Sequence, residues 1–255
     1  MELGFMQIVL ILIVTFIAAI DQFNFLESLY RPIVMGPIVG AIMGDLNTGL
    51  IVGGSYELMM IGAMPVGGAQ PPNAVIGGIM ATVFAITSGL DTSAALPLAI
   101  PFALLGQYAV TALFTVMSPL MGLCDKAANE ANPKGIDKVN YMAMAILGIS
   151  FALIVLAGLL AGQAIGDTLT RVLPEQVWTG LTAAGKMMPA LGFAMLLKVM
   201  LSKDYAIFMM LGFVLVAYLN LPLLALAIVG LVVSIYDFNI SVKTKNVGGG
   251  MSDGI

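Results

Sequence analysis

The chain has 255 residues, of which 60% are hydrophobic and only 9% are charged, and its mean hydropathy is +1.04. Soluble domains carry about 25% charged residues, so this composition excludes an ordinary soluble domain and indicates an integral membrane protein. The formal net charge of −4 is spread along the chain without a cluster of Lys and Arg, which argues against a nucleic-acid partner.

The apolar parts of the chain form long runs that lack charged residues. These runs are residues 3–20, 58–90, 92–124, 139–166 and 205–236. Since a spanning helix needs about 20 apolar residues, several of the runs exceed one crossing or contain breaks. We interpret the first run as a retained membrane segment rather than a secretory signal, because Glu2 precedes it and no small-residue cleavage site follows.

Glycine and proline divide the first half of the chain into short helical pieces. The predicted helical segments are residues 5–20, 33–43, 50–64, 74–87 and 96–120. Residues 65–72 (PVGGAQPP) cannot continue a helix, because proline removes a backbone donor and clashes with the preceding turn. Helix, break and helix at membrane depth are typical of transporters. The predicted fold is therefore an all-α integral membrane protein, a multi-span helical bundle with discontinuous or re-entrant helices.

The second half contains one long hydrophilic stretch, residues 125–138, which we interpret as a solvated linker. Its lysines, together with Lys243 and Lys245, favour the cytoplasmic side. Placing residues 125–138 and the two C-terminal lysines on the same side of the membrane requires an even number of crossings between them. Residues 139–166 and 205–236 supply two, which leaves residues 167–204 on the far side or in the interface, with the alternative that residues 187–197 dip into the membrane.

Two domains follow from these segments. We predict a membrane-embedded domain at residues 1–240 and a flexible, Gly-rich tail at residues 241–255. The sequence has no histidine, and Cys124 is the only cysteine. A histidine-based metal site, a phosphohistidine on this chain and an intrachain disulfide are thereby excluded. We expect no cofactor and no enzymatic site on the chain itself.

Polar side chains interrupt an apolar, Gly- and Pro-rich stretch at residues 44–78. They are Asp45, Glu57, Gln70 and Asn73. Ionisable and amide side chains at membrane depth are costly and usually line a substrate path. Irregular backbone is tolerated there only when it is buried in protein or lines a water-filled cavity. This stretch therefore predicts a binding site for a polar solute.

Glu57 is the first candidate ligand, since a carboxylate accepts several hydrogen bonds from a hydroxyl-rich solute such as a sugar. The alternative is a structural glutamate held by an amide or a basic partner. Asp45 follows Gly44 and precedes Asn47, so we interpret it as a helix cap.

Gln70 and Asn73 carry amides that can both donate to and accept from hydroxyl groups. Gly68 and Ala69 lie beside them, and glycine there allows close approach of the backbone to a ligand. Asn73 could equally cap a helix that begins at Ala74. Gln107 is a weaker candidate, because a lone amide in an apolar run also bonds neighbouring helices.

These residues resemble the membrane component IIC of the mannose–fructose–sorbose class of bacterial sugar phosphotransferase systems. The matching motifs are Arg31-Pro32, Gly44-Asp45-Leu46, Thr48-Gly49, Gly53-Gly54, Glu57-Leu58, Gly68-Ala69-Gln70-Pro71-Pro72-Asn73, Pro101, Gln107, Gly192-Phe193 and Gly212-Phe213. The likeness covers roughly residues 5–240. Mannose-type relatives carry aspartate where this chain has Asn73, and the pattern is more similar to the N-acetylgalactosamine and galactosamine branch.

The resemblance implies a multi-pass permease subunit of the bacterial cytoplasmic (inner) membrane. Such a subunit pairs with a second membrane component, IID, as a trimer of IIC–IID pairs that moves a sugar-binding core in an elevator-like displacement. A phosphorylated IIB component then passes phosphate to the sugar, so the phosphoryl donor lies on a partner. Sorbose, mannose, fructose and an unsaturated disaccharide stay open as substrates. The alternative function is an ion-coupled secondary transporter in which Glu57 or Asp45 holds a proton or cation.

Overall fold

The computed structural model describes residues 3–24, 26–63, 71–172, 174–202 and 205–248. All regular secondary structure within these ranges is helical, which confirms the predicted all-α fold. The helices, in chain order, are α1 (Phe5–Asn24), α2 (Pro32–Met43), α3 (Leu46–Met60), α4 (Ala74–Ser88), α5 (Thr92–Met117), α6 (Leu120–Asn129), α7 (Pro133–Val172), α8 (Glu175–Met200), α9 (Ala206–Ala217) and α10 (Leu223–Gly248).

Four of the described helices are long and apolar enough to cross a membrane, namely α1, α5, α8 and the Pro133–Leu160 part of α7. Shorter apolar helices, among them α2 and α4, lie between them in the chain. A helix of 12 residues is only about 18 Å long and does not span a hydrocarbon core of about 30 Å. Short and long helices together confirm the multi-span bundle with discontinuous helices.

The chain divides into two compact units, Met1–Lys198 and Val199–Ile255. In the first unit α4 is the central helix, and every residue from Val75 to Ala85 is buried. It contacts α1, α2, α3, α5 and α7. A helix that is apolar on all sides belongs inside a bundle or a membrane, and α4 has that character. In the second unit α9 contacts α10.

A short turn joins α2 to α3, and it contains the C-cap of α2 and the N-cap of α3. Gly44 ends α2 at φ 89°, a left-handed conformation that glycine adopts without steric cost. The next residue, Asp45, begins α3 by accepting from the backbone N–H of Thr48 at 3.0 Å and from its hydroxyl at 2.6 Å. The prediction that Asp45 is a helix cap is confirmed.

Glycines set how closely α2 and α3 approach. A Cβ atom added at Gly36 would lie 2.5 Å from the carbonyl oxygen of Gly49 and 2.6 Å from the Cα atom of Gly53. A Cβ atom at Gly40 would lie 2.8 Å from the Cα atom of Gly49. Each helix thus has two glycines four residues apart, the small-xxx-small spacing that lets helix backbones touch in a membrane.

The interpretation of residues 125–138 as a linker is wrong. The stretch belongs largely to α6 and the start of α7, and only Glu130, Ala131 and Asn132 separate these helices. Ala131 takes φ 50°, and the Asn132 side chain accepts from the N–H of Gly135 at 3.2 Å. Alanine, lysine and glutamate are good helix formers, so a hydrophilic stretch need not be a loop.

Two further expectations for the second half need correction. Residues 167–204, expected on the far side or in the interface, contain α8, whose length and composition suit a crossing. Residues 205–236, expected as one crossing, form parts of α9 and α10, which are separated around Asn220 (φ 48°) and Pro222.

Helix α10 continues to Gly248, beyond the predicted domain end at residue 240. The rest of the predicted tail, residues 249–255, lies outside the described residues, and the domain division stays a prediction.

Candidate functional site

A cavity of about 460 Å³ lies in the first unit, where the ends of several helices meet. The last turn of α1, the first residues of α2 and α4, the last turn of α3 and the middle of α5 all contribute to its wall. Its polar lining residues are Gln22, Glu27, Tyr30, Arg31, Glu57, Asn73 and Gln107. Short helices that begin and end beside a cavity expose backbone and polar groups to it, as in the discontinuous helices of transporters.

An ion pair between Arg31 and Glu57 forms one side of this cavity. The Nε atom of Arg31 donates to Oε1 of Glu57 at 2.8 Å, and the terminal Nη2 donates to the same oxygen. The second carboxylate oxygen accepts from the backbone N–H of Ile33 at 3.3 Å. The Glu57 side chain is 11% exposed, whereas the Arg31 side chain is 50% exposed. The pair is therefore sheltered on the glutamate side and open on the arginine side.

The position of Glu57 follows from the start of α2. Pro32 occupies the first turn of that helix and has no N–H, so the amide of Ile33 is an early donor at the helix N-terminus. A carboxylate is stabilised there by the unpaired amides and the helix dipole. Arg31 donates the hydrogen bonds to Glu57, so each charge of the pair is balanced by the other. The basic partner considered for Glu57 from the sequence is thus present.

Asn73 is 1% exposed and takes part in four hydrogen bonds, one of them the helical bond from the N–H of Gly77 to its carbonyl. Its Oδ1 atom accepts from the N–H of Ile76 at 3.0 Å and so caps α4. Its Nδ2 atom donates to Oε1 of Gln22 at 3.1 Å, and its backbone N–H donates to the carbonyl of Ala103 at 3.0 Å. The capping role is confirmed, and Asn73 also fixes the amide of Gln22, which lines the cavity.

The other predicted site residues divide into two groups. Gln107 lines the same cavity as Glu57 and Asn73, so the structure brings these three together. Gly68, Ala69 and Gln70 lie outside the described residues.

The cap Asp45 lies at the other end of α3 from Glu57, about 18 Å away along the helix at 1.5 Å per residue, and takes no part in the cavity. Its pKa is lowered by the hydrogen bonds from Thr48.

Arg31 and Gln22 are functional candidates that the residue-by-residue reasoning from the sequence did not select. A signal for Arg31 was present, since it is the only lysine or arginine before Lys126. A lone cation and a lone glutamate in apolar surroundings are expected to pair, because an unpaired charge at membrane depth is costly. Gln22 gives no such signal, because an amide at the end of a helix is ordinary.

An aromatic pair supplies an apolar part of the cavity wall. Phe23 and Phe114 both line the cavity, and their rings meet edge to face with centroids 5.5 Å apart. A wall with charged and amide groups on one part and aromatic edges on another suits a molecule that has both hydroxyl groups and C–H faces. Among the described residues, no group of three or more Cys, Asp and Glu could hold a metal ion.

Comparison with known proteins gives consistent matches. A model of the family described as "PTS system sorbose-specific IIC component" matches residues 5–236. The N-acetylgalactosamine permease IIC component 1 of Escherichia coli (strain K12) is 34% identical over 238 residues, which cover 93% of this chain and 89% of that protein.

Two solved structures share the fold. A chain described as a membrane protein aligns with a TM-score of 0.84 at 30% identity, covering 96% of this chain and 99% of that one. A chain from the mannose transporter ManYZ in complex with microcin E492 aligns with a TM-score of 0.60 at 31% identity. That match covers 94% of this chain and 97% of the other.

Proposed function

We propose that this chain imports an amino sugar, N-acetylgalactosamine or galactosamine. The chain belongs to the family of sorbose-specific IIC components of the phosphotransferase system. As a IIC component it is a sugar permease subunit and an integral protein of the bacterial cytoplasmic membrane. The choice of amino sugar is supported by the likeness to the N-acetylgalactosamine permease component. It is also supported by Gln22, whose amide lines the cavity and can hydrogen-bond an acetamido group.

The observation that carries the proposal is the cavity bounded by Arg31, Glu57 and Asn73. Gln107, on its wall, lies about 15 Å along α5 from the end of that helix, at 1.5 Å per residue. A polar cavity beside the interior of a helix suited to crossing a membrane fits a solute path. In this proposal the open side of Arg31 donates to sugar hydroxyls and Glu57 accepts from them, while Phe23 and Phe114 contact a C–H face.

The proposed mechanism couples transport to phosphorylation on partner proteins. A IID membrane component pairs with this chain in a trimer of IIC–IID pairs, and a cytoplasmic IIB component supplies the phosphoryl group. The alignment with a chain of the ManYZ transporter supports the membrane partner. An elevator-like displacement carries the cavity from one side to the other. Phosphorylation then makes the sugar an anion, which the apolar membrane holds inside the cell.

A substrate panel with site variants tests the proposal. Cells that express this chain with its IIB and IID partners are given labelled N-acetylgalactosamine, galactosamine, mannose and sorbose, and the intracellular product is identified. We expect an amino-sugar phosphate to accumulate fastest. Glu57→Gln, Gln70→Ala and Asn73→Ala should slow uptake per membrane-inserted subunit, by about tenfold for Glu57→Gln, which removes the charge that the sugar hydroxyls meet.

Asp45→Asn is the matched control, because asparagine caps a helix as well as aspartate does and residue 45 lies away from the cavity. Its uptake should equal that of the wild type. Full transport in all three site variants would reject the cavity as the sugar site. Rapid accumulation of mannose phosphate instead of an amino-sugar phosphate would reject the substrate assignment alone.

A further inference from the structure

Asp21 is a fully buried carboxylate at the end of α1, with 0% exposure. Its hydrogen bonds all run to the backbone of the segment that joins α1 to α2. Oδ1 accepts from the N–H of Leu26 at 2.9 Å. Oδ2 accepts from the N–H of Ser28 at 3.0 Å and from the N–H of Tyr30 at 2.9 Å. A single side chain thus satisfies three backbone donors, which are costly to bury unpaired.

The segment held by Asp21 leads directly into the ion pair of the cavity. Tyr30 precedes Arg31, and the N–H of Arg31 donates to the carbonyl of Ser28 at 3.4 Å. Within the same segment Glu27 takes φ 52°, a conformation that a residue with a side chain adopts only when its surroundings enforce it. The three bonds to Asp21 lie on both sides of Glu27 and provide that constraint.

We propose that Asp21 is a positioning residue for sugar binding, which acts by fixing the backbone of residues 26–30 and thereby the guanidinium of Arg31 against Glu57. The inference rests on the proposed function of the cavity. Asp21 itself is not among the residues that line the cavity, so its effect on the sugar must pass through Arg31. The adjacent Gln22 is hydrogen-bonded to Asn73, so the same turn of α1 supports two parts of the wall.

The chemistry requires a carboxylate at this position. Donors approach both oxygens of Asp21, and an ionised carboxylate accepts at both. Asparagine has the same shape but supplies one oxygen, and its NH₂ group would face at least one N–H donor. Asp21→Asn is therefore the smallest change that releases part of the segment, and it leaves the packing of α1 in place.

The test measures initial uptake rates against concentration, with labelled N-acetylgalactosamine, galactosamine and mannose as probes, in cells that contain the chain and its partners. Asp21→Asn should raise the KM for the transported sugar about threefold to tenfold, the range that corresponds to one net hydrogen bond. The maximal rate per membrane-inserted subunit should stay near that of the wild type. Asp45→Asn is the control, since it also alters a carboxylate that accepts from a backbone N–H and should change neither quantity.

A double-variant cycle separates positioning from a general structural role. Arg31→Lys keeps the charge but not the two-nitrogen contact with Glu57. If Asp21 acts through Arg31, Asp21→Asn should add little to the KM of Arg31→Lys, because coupled residues are not additive. Additive effects, an unchanged KM, or a fall only in the maximal rate would overturn the inference.

Two other outcomes are informative. If the Asp21→Asn protein is lost from the membrane, Asp21→Glu, which keeps the charge, is measured in the same way. Loss of both variant proteins from the membrane would assign Asp21 to folding and overturn the inference. If Arg31→Lys and Glu57→Gln both transport like the wild type, the cavity is rejected as the sugar site, and the role of Asp21 is rejected with it. An effect of those two variants without an effect of Asp21→Asn leaves the proposed function standing and rejects the role of Asp21.

Discussion

Tyr56 and Glu57 are consecutive residues of α3 and have different surroundings. Glu57 turns towards the cavity and meets Arg31, whereas Tyr56 is fully buried in the core. The hydroxyl of Tyr56 occupies the space that a Cβ atom on Gly77 would need. Among the described residues it has no hydrogen-bond partner. The core thus contains a polar atom that lies in contact with the backbone of α4 at Gly77.

Removing that hydroxyl tests this description. Tyr56→Phe keeps the ring in its place beside Gly77 and removes a buried polar atom that has no partner. We expect the free energy of unfolding to stay unchanged or to rise by about 1 kcal/mol, because an unsatisfied hydroxyl costs stability. Thermal denaturation of the purified complex in detergent measures this. Tyr108→Phe, at a residue that is 73% exposed, is the control and should have no effect. A clear loss of stability in Tyr56→Phe would show that the hydroxyl has a partner.

Asn73 combines a cap with a contact to Gln22, and the two functions can be separated. Asn73→Asp retains the oxygen that caps α4, and Gln22 can rotate its amide so that it donates to the new carboxylate. Asn73→Ala loses both bonds and should lower the free energy of unfolding by about 1 kcal/mol or more. Denaturation midpoints of the two variants measured side by side check this. Equal losses for aspartate and alanine would contradict the capping role.

At the scale of helices, the α2–α3 contact depends on backbone touching backbone. In Gly49→Ala the added Cβ would lie 2.8 Å from the Cα atom of Gly40, and backbone atoms cannot rotate away as a side chain can. We expect a loss of about 1–3 kcal/mol, as for other overpacked positions. Membrane abundance and thermal denaturation of the complex both report it.

Gly54→Ala is the matched control on the same helix, because no atom lies within 4 Å of the added Cβ. Alanine is the better helix former by up to about 1 kcal/mol, so this variant should be neutral or slightly stabilised. If Gly49→Ala were as stable as Gly54→Ala, the close approach of α2 and α3 would not be required for stability.

Helices in the first half could be predicted from the sequence because strong breakers separate them. Gly44 ends α2 and Asn73 begins α4 at the predicted positions, whereas α3, predicted at residues 50–64, spans Leu46–Met60. In the second half the same rules failed. Hydrophilic residues 125–138 lie largely in helices, and the break at Pro222 falls inside an apolar run that looked continuous. Composition indicates what surrounds a segment better than it indicates whether the segment is helical.

For the whole molecule, the sequence identified the stretch that holds the cavity but not how its charges are paired. Glu57, Asn73 and Gln107 were predicted and lie around one cavity. Arg31 comes from a different helix start, and its pairing with Glu57 depends on how α2 lies against α3. That geometry follows from the glycine contacts between two helices, which a reading of single residues does not contain. Asp21 was missed for the same reason, since its role depends on where the joining segment returns.

We propose that this chain carries a sugar through the membrane for phosphorylation on the inner side. Vesicles that contain this chain and its IID partner, loaded with IIB and a phosphoenolpyruvate-driven phosphoryl supply, test it most directly with labelled N-acetylgalactosamine outside. We expect sugar phosphate to accumulate inside only while phosphorylated IIB is present, and dissipating ion gradients should leave this accumulation unchanged. Accumulation of unmodified sugar that needs no phosphoryl donor and collapses with the ion gradient would show an ion-coupled transporter instead.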